Sequence, residues 1–188
     1  MTGPEKDLIA RFAEIVGPGH ALTEPGDIAP YLTETRGLYH GATALVLKPC
    51  TTEEVAAIMK LASETKTPVV PASGRTGHVG GAVPREEGTD IVLSLERMTR
   101  IRKIDTAGNF MVVDGGVILA EAQKAAADND RLFPLSLGSE GSARIGGNLA
   151  TNAGGTAVLA YGNMRNLCLG LEVVLPTGEV WNGLHSLK

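Results

Sequence analysis

Glycine is unevenly spread along these 188 residues: ten of the 24 glycines fall in two short windows, 74–81 and 138–155. At the chain's own frequency, even scatter would put about three there. The first window holds Gly74, Gly77, Gly80 and Gly81; the second holds Gly138, Gly141, Gly146, Gly147, Gly154 and Gly155. Charge is thin in both. Arg75 is the sole charged side chain of the first, and Glu140 and Arg144 are the only ones in the second. Ser139, Ser142, Asn148, Thr151 and Asn152, with Thr156 just past its end, make the second window rich in small polar groups instead. Backbone without Cβ atoms, set among hydroxyls and amides, lets a chain approach an anionic or polar ligand closely. A pair of structural turns is the alternative reading.

Composition narrows the class. No Gly-X-Y period accompanies the glycine, which excludes collagen, and 43% hydrophobic content with mixed charge argues against disorder. A formal charge of −4 without any basic block makes nucleic acid an unexpected partner. Cys50 and Cys168 are too far apart for a CxxC pair and suit a reducing compartment. MTGPEKDLIA has no signal-peptide core, and no apolar run approaches the roughly 18 residues of a membrane span. The expectation is a soluble, cytoplasmic globular protein.

Residues 1–42 read as an N-terminal helix and an irregular lead-in. Leu8, Ile9, Phe12, Ile15 and Val16 share one face of a helix over 4–16, which Gly17-Pro18 stops. The lead-in over 17–42 is punctuated by Pro18, Pro25, Pro30, Gly26, Gly37 and Gly41. A strand over 43–48 follows, then Thr51 and Glu54 in a capping-box pattern that opens a second helix, then a strand at 68–71. That order predicts a βαβ unit leading into the first glycine window. Thereafter 90–95, 101–105 and 110–114 read as short strands of a more antiparallel part, with a helix over 117–129 and a hairpin at 170–175 and 179–182. The fold class expected is α+β in two intimate subdomains, with the glycine windows at their junction.

Elimination points to the ligand. There is no Gly-Lys dipeptide and hence no Walker loop, and GxGxxG, HExxH, GxSxG and paired Cys/His zinc spacings are all missing. No metal site is expected. What remains is Pro71–His78 after a βαβ strand, where successive amides can form an anion-binding nest with Ser73 and Thr76 hydroxyls as further donors. Arg75 either adds positive charge or is simply solvated. A pyrophosphate suits this loop, and the second window suits a flat heterocycle.

With these stretches in view the sequence becomes recognisable. It resembles the FAD-binding domain of the vanillyl-alcohol oxidase / p-cresol methylhydroxylase type, and within it the FAD-linked D-2-hydroxyacid dehydrogenases: D-lactate dehydrogenase, D-2-hydroxyglutarate dehydrogenase and the glycolate oxidase large subunit. The matching stretches are TTEEV at 51–55, PASGRTGHVGGAVP at 71–84, LSLERM at 93–98 and FPLSLGSEGSARIGGNLATNAGG at 133–155, with Tyr161-Gly162 and GLEVVLPTGEV at 170–180. The resemblance implies FAD as cofactor and places the domain at 43–188, incomplete at its C-terminal end and without its substrate domain. The family's pyrophosphate loop falls on Ser73, Gly74, Arg75, Thr76 and Gly77, with Gly81 and Ala82 just beyond. Its flavin-contacting segment falls on Leu135, Ser136, Gly138, Ser142 and Ala143. Gly147, Asn148, Thr151, Asn152 and Gly154 then lie near the isoalloxazine and ribityl groups.

Two residues depart from the family. Arg75 stands where Gly or Asn is usual, and His78 where Leu or Met is common. Superfamily members with an RSGGH-like loop tether flavin covalently through a histidine at a similar place, whereas the nearer relatives hold it non-covalently. For the full-length parent the resemblance implies oxidation of a D-2-hydroxy acid to a 2-oxo acid by hydride transfer to flavin N5, and a separate electron acceptor. The catalytic base is expected beyond Lys188, which leaves this chain inactive alone. A homodimer or partner subunit is a further expectation. Two alternatives stay open: a flavin-binding module without turnover, and an alditol or aromatic-alcohol oxidase on the same fold.

Overall fold

Helix α1 (Lys6–Val16) turns Phe12 and Val16 inward and ends at Gly17, whose φ of +80° breaks the helical path. The computed structural model describes residues 4–185. The lead-in expected to be irregular carries short ordered elements: a 3-10 turn at Pro18–His20, strand β1 (Ala21–Leu22), helix α2 (Pro25–Ile28) and a second 3-10 turn at Ala29–Tyr31. Each spans four residues or fewer, too short to leave a periodicity in the sequence.

Strand β2 (Val46–Leu47) leads into helix α3 (Thr52–Thr65). Thr51 caps α3 by accepting a hydrogen bond from the Glu54 amide at 3.1 Å. The Glu54 carboxylate accepts from the Cys50 amide at 2.7 Å, one residue beyond the N-cap amide that the usual capping box takes. Strands β3 (Val69–Ala72) and β4 (Ile91–Ser94) complete a four-stranded sheet in the order β1-β2-β4-β3. The strands β2, β3 and β4 run parallel, with Val46 and Val70 both opposite Val92.

This corrects two expectations. The βαβ order is present, but β4 lies between β2 and β3, so those two strands are not neighbours. Residues 90–95 therefore belong to the parallel sheet and not to the antiparallel part. All four residues of β4 are buried, as befits a central strand covered on both faces. One face packs Leu45, Leu47, Ile91 and Leu93 against Phe12, Val16, Ile58 and Leu61. The other sets Val46, Ala72 and Val92 against Ile28 and Tyr31 of the lead-in.

The second half holds the hairpin β5 (Ile101–Asp105) and β6 (Phe110–Val113), then helices α4 (Leu119–Ala127), α5 (Ile145–Ala150), α6 (Val158–Tyr161) and α7 (Met164–Leu167). The hairpin β7 (Glu172–Val174) and β8 (Val180–Asn182) follows. Among the described residues these antiparallel strands form two separate ladders and not one sheet. Val117, Leu119, Ala122, Leu135, Ile145 and Met164 make the core of this half.

A charged network fastens the halves. Arg100 and Arg102 donate to the buried Asp114 carboxylate at 2.8 and 2.5 Å. Arg102 also donates to Glu172 of β7 at 3.0 Å, and Thr52 of α3 donates to the same carboxylate oxygen at 2.6 Å.

Candidate functional site

The parallel strands all leave the sheet at one edge, where open α/β sheets place their ligands. There the two glycine windows meet. Ser73 Oγ accepts a hydrogen bond from the Gly147 amide at 3.2 Å and donates to the Gly115 carbonyl at 3.4 Å. A Cβ on Gly74 would stand 2.6 Å from Ser142 O and 2.9 Å from Ala143 Cα. The expected junction is therefore real, and it is built by backbone approaching backbone.

Parts of both windows stay open. Positions 77, 81, 138 and 141 have nothing within 4 Å of where a Cβ would project. Thr76 is half-buried beside them, and Gly77 and His78 are exposed. Ala82 lies apart, partly buried on the lead-in face of the sheet.

The second window is less bare than its composition suggests. Helix α5 runs through Gly146 and Gly147, an element that no sequence pattern announced. The Gly146 amide donates to Gly115 O at 2.8 Å. Ala143 is buried beneath Gly74, and its amide and carbonyl are taken by Ser139 and Leu119. Leu135 is a core side chain, whose carbonyl accepts from Gln123 Nε2 at 2.7 Å. Gly138 and Ser142 are exposed at the rim. Ser136 is drawn to the far end of the window, its carbonyl accepting from the Thr156 amide at 3.1 Å. Thr151 donates to Gly147 O at 2.9 Å, and Asn152 accepts from the Arg165 amide at 3.1 Å with a φ of +53°. Gly154 sits against Asn163.

Asn148 carries the unmet demand. It is buried within α5, and its Nδ2 is the one enclosed side-chain polar atom with no hydrogen-bond partner among the described residues. Leaving such a donor unmatched costs about 1–3 kcal/mol. An orphaned amide donor in the window that also holds the open positions 138 and 141 fits a guest rich in acceptor oxygens and ring nitrogens.

Residues that sequence reasoning missed lie at the same strand edge. Lys48, just after β2, pairs with Glu96 at 2.5 Å, and Tyr31 donates to the other Glu96 oxygen at 2.9 Å. Burial pushes the Glu96 carboxyl up, but the hydrogen bonds from Lys48 and Tyr31 outweigh it and hold the group below its ordinary range. The Glu96 hydrogen bond raises the Lys48 ammonium. Burial, followed by the same carboxylate, raises Tyr31. A cleft of about 340 Å³ is lined here by Tyr31, Lys48 and Arg75, among others. The available signal was position: Lys48 and Glu96 both fall just past strands that end on one edge. Among the described residues no group of His, Cys, Asp and Glu could hold a metal ion, and no helix is long and apolar enough to cross a membrane.

Comparison with known proteins gives the arrangement a family. Residues 43–183 match the family described as FAD binding domain. The chain is 39% identical over 184 residues to the mitochondrial D-2-hydroxyglutarate dehydrogenase of Bos taurus, covering 98% of this chain and 33% of that protein. It is 40% identical over 179 residues to the D-lactate dehydrogenase of Archaeoglobus fulgidus, covering 94% and 38%. The solved structure of p-cresol methylhydroxylase with substrate bound matches with a TM-score of 0.76 at 26% identity, covering 93% of this chain and 34% of that one. The chain thus spans about a third of the length of these relatives. It is α+β in the p-cresol methylhydroxylase manner, belongs to the FAD binding domain family, and has FAD as its cofactor.

Proposed function

We propose that this chain is the FAD-binding part of a flavin-dependent oxidoreductase that oxidises a D-2-hydroxy acid to the 2-oxo acid and passes the electrons to a separate acceptor. The substrate class is supported by the relatives, whose names specify two D-2-hydroxy acids, lactate and 2-hydroxyglutarate. The observation that carries the binding role is the closure of the two windows through Ser73 and Gly147, with open backbone in both windows and an unpartnered Asn148 amide in the second.

In this reading the amides of Ser73–Gly77 cradle the diphosphate, with the Thr76 hydroxyl as a further donor. Gly147, Asn148, Thr151, Asn152 and Gly154 line the flavin end, and Asn148 Nδ2 gains an acceptor there. Gly138 and Ser142 form the rim, while Leu135 and Ala143 act as a packed floor. Bound FAD supplies the two-electron acceptor for the oxidation. No residue among 4–185 is assigned as the base that takes the hydroxyl proton.

Titrating the chain with FAD tests the binding role, read by quenching of flavin fluorescence. Gly77→Ala puts a methyl group where the guest lies and weakens FAD about tenfold or more. A wild-type chain that takes up no FAD overturns the reading. In the full-length protein that contains this domain, D-lactate or D-2-hydroxyglutarate added without oxygen bleaches the flavin absorbance. Bleaching by neither, nor by any other D-2-hydroxy acid, rejects the substrate class.

A further inference from the structure

The glycine loop after β3 does not stand alone: the lead-in grips it at two points. Arg75 has a left-handed backbone, φ +52°, which is unfavourable for a residue with a Cβ. Its guanidinium donates to the Pro30 carbonyl and lies over the Tyr31 ring, 4.2 Å from the centroid. Tyr31 is itself held, only 4% exposed and bonded through its hydroxyl to Glu96, which Lys48 pairs from the other side. Five residues on, Gly80 carries the ring of Tyr39, which would stand 2.8 Å from a Cβ there.

The lead-in is ordered enough to act as a grip. The Glu34 carboxylate accepts from the Arg36 and Leu38 amides at 2.7 Å each, and the Gly41 amide donates to Leu32 O at 2.8 Å. These residues precede the matched family region, which begins at 43.

We propose that residues 30–41 form a clamp that fixes the conformation of the FAD diphosphate loop, with Arg75 as the strut from the loop to Pro30 and Tyr31, and with Tyr39 as a second positioning residue packed on Gly80. The assignment rests on Ser73–Gly77 being that loop. Arg75 then serves FAD by bracing the left-handed turn through Pro30 and Tyr31, and not by placing a charge on the diphosphate. A lysine keeps the charge but lacks the planar fork that spans a carbonyl and a ring face together.

Amide hydrogen exchange of 74–78 in the FAD-free chain, combined with FAD titration, separates the possibilities. Expected are exchange about tenfold faster and FAD about tenfold weaker in both Arg75→Lys and Tyr31→Leu. The double variant is no worse than either single one, because both break the same strut. Tyr31→Phe, which keeps the ring, stays within about twofold of wild type in both readouts. Tyr39→Ala removes a half-exposed ring without touching the core, and speeds exchange at 80–81 even where Tyr31→Leu folds poorly. Full FAD affinity in Arg75→Lys, or unchanged loop exchange in Tyr39→Ala and Arg75→Lys, overturns the clamp. A wild-type chain that binds no FAD overturns the FAD reading instead, and the exchange comparison still decides whether the lead-in holds the loop.

Discussion

In the loop after β3, a Cβ placed on Gly77 or Gly81 meets nothing within 4 Å, whereas one on Gly74 or Gly155 drives into the backbone of another segment. The same residue type therefore answers two different demands a few positions apart. Gly74 lets its loop touch the segment before α5 and so assembles the junction, and Gly155 lets its turn close on Ser136. The open ones leave room and bare amides. A glycine count merges the two; only the contacts separate architecture from accommodation.

Substitutions sharpen that contrast. The largest effect is expected for Gly155→Ala, because φ is +71° and the added carbon would strike the Ser136 carbonyl. Strain and overpacking together cost roughly 3 kcal/mol or more, read as a fall in the urea midpoint. A loss below about 1 kcal/mol would break the distinction between packed and open positions. Next is Asp114→Asn, which leaves Arg100 and Arg102 without the fully buried carboxylate they share. About 2–3 kcal/mol is expected, below the range for a wholly buried pair because the Arg100 side chain is 57% exposed. Ser73→Ala removes the bridge to Gly147 and Gly115, worth about 1 kcal/mol of stability.

Acid probes the fastening of the halves more gently. Hydrogen bonds from Arg102 and then Thr52 hold the Glu172 carboxyl below its ordinary value of 4.5. On unfolding, the group takes up a proton more readily than when folded, so its contribution is complete above 4.5 and is lost as pH falls through the lower folded value. Urea midpoints followed from about pH 6 to about pH 3 therefore decline less steeply in Glu172→Gln than in wild type. The smallest effect belongs to the open class. Gly77→Ala shifts stability by no more than about 0.5 kcal/mol while still weakening FAD, and a larger destabilisation would show that this position is packed after all.

Much of this was legible in the residues. Phe12 and Val16 at helical spacing, Thr51 as a cap and the Pro176–Gly178 turn each announce a local structure, and each is found. Two features were not. The central place of β4 depends on which strand has both faces covered, and no local pattern distinguishes Ile91–Ser94 from another short apolar run. The role of Tyr31 depends on Arg75, 44 positions away, and on a rotamer that only the folded lead-in selects. Helix α5 was hidden because Gly146 and Gly147 count against a helix, and their tight fit against Gly115 and Ser73 overrides that preference.

The placement of β4 also sets a timetable for synthesis. In the finished sheet β2 and β3 lie two strand widths apart, about 9–10 Å, and the strand that bridges them is synthesised after both. Helix α3 has no finished surface to settle on until Ser94 has emerged, and Gly74 waits longer still for Ser142. A chain released only as far as Ala72 lacks the strand that joins β2 to β3 for some twenty further residues of translation, and unpaired strands invite wrong pairing.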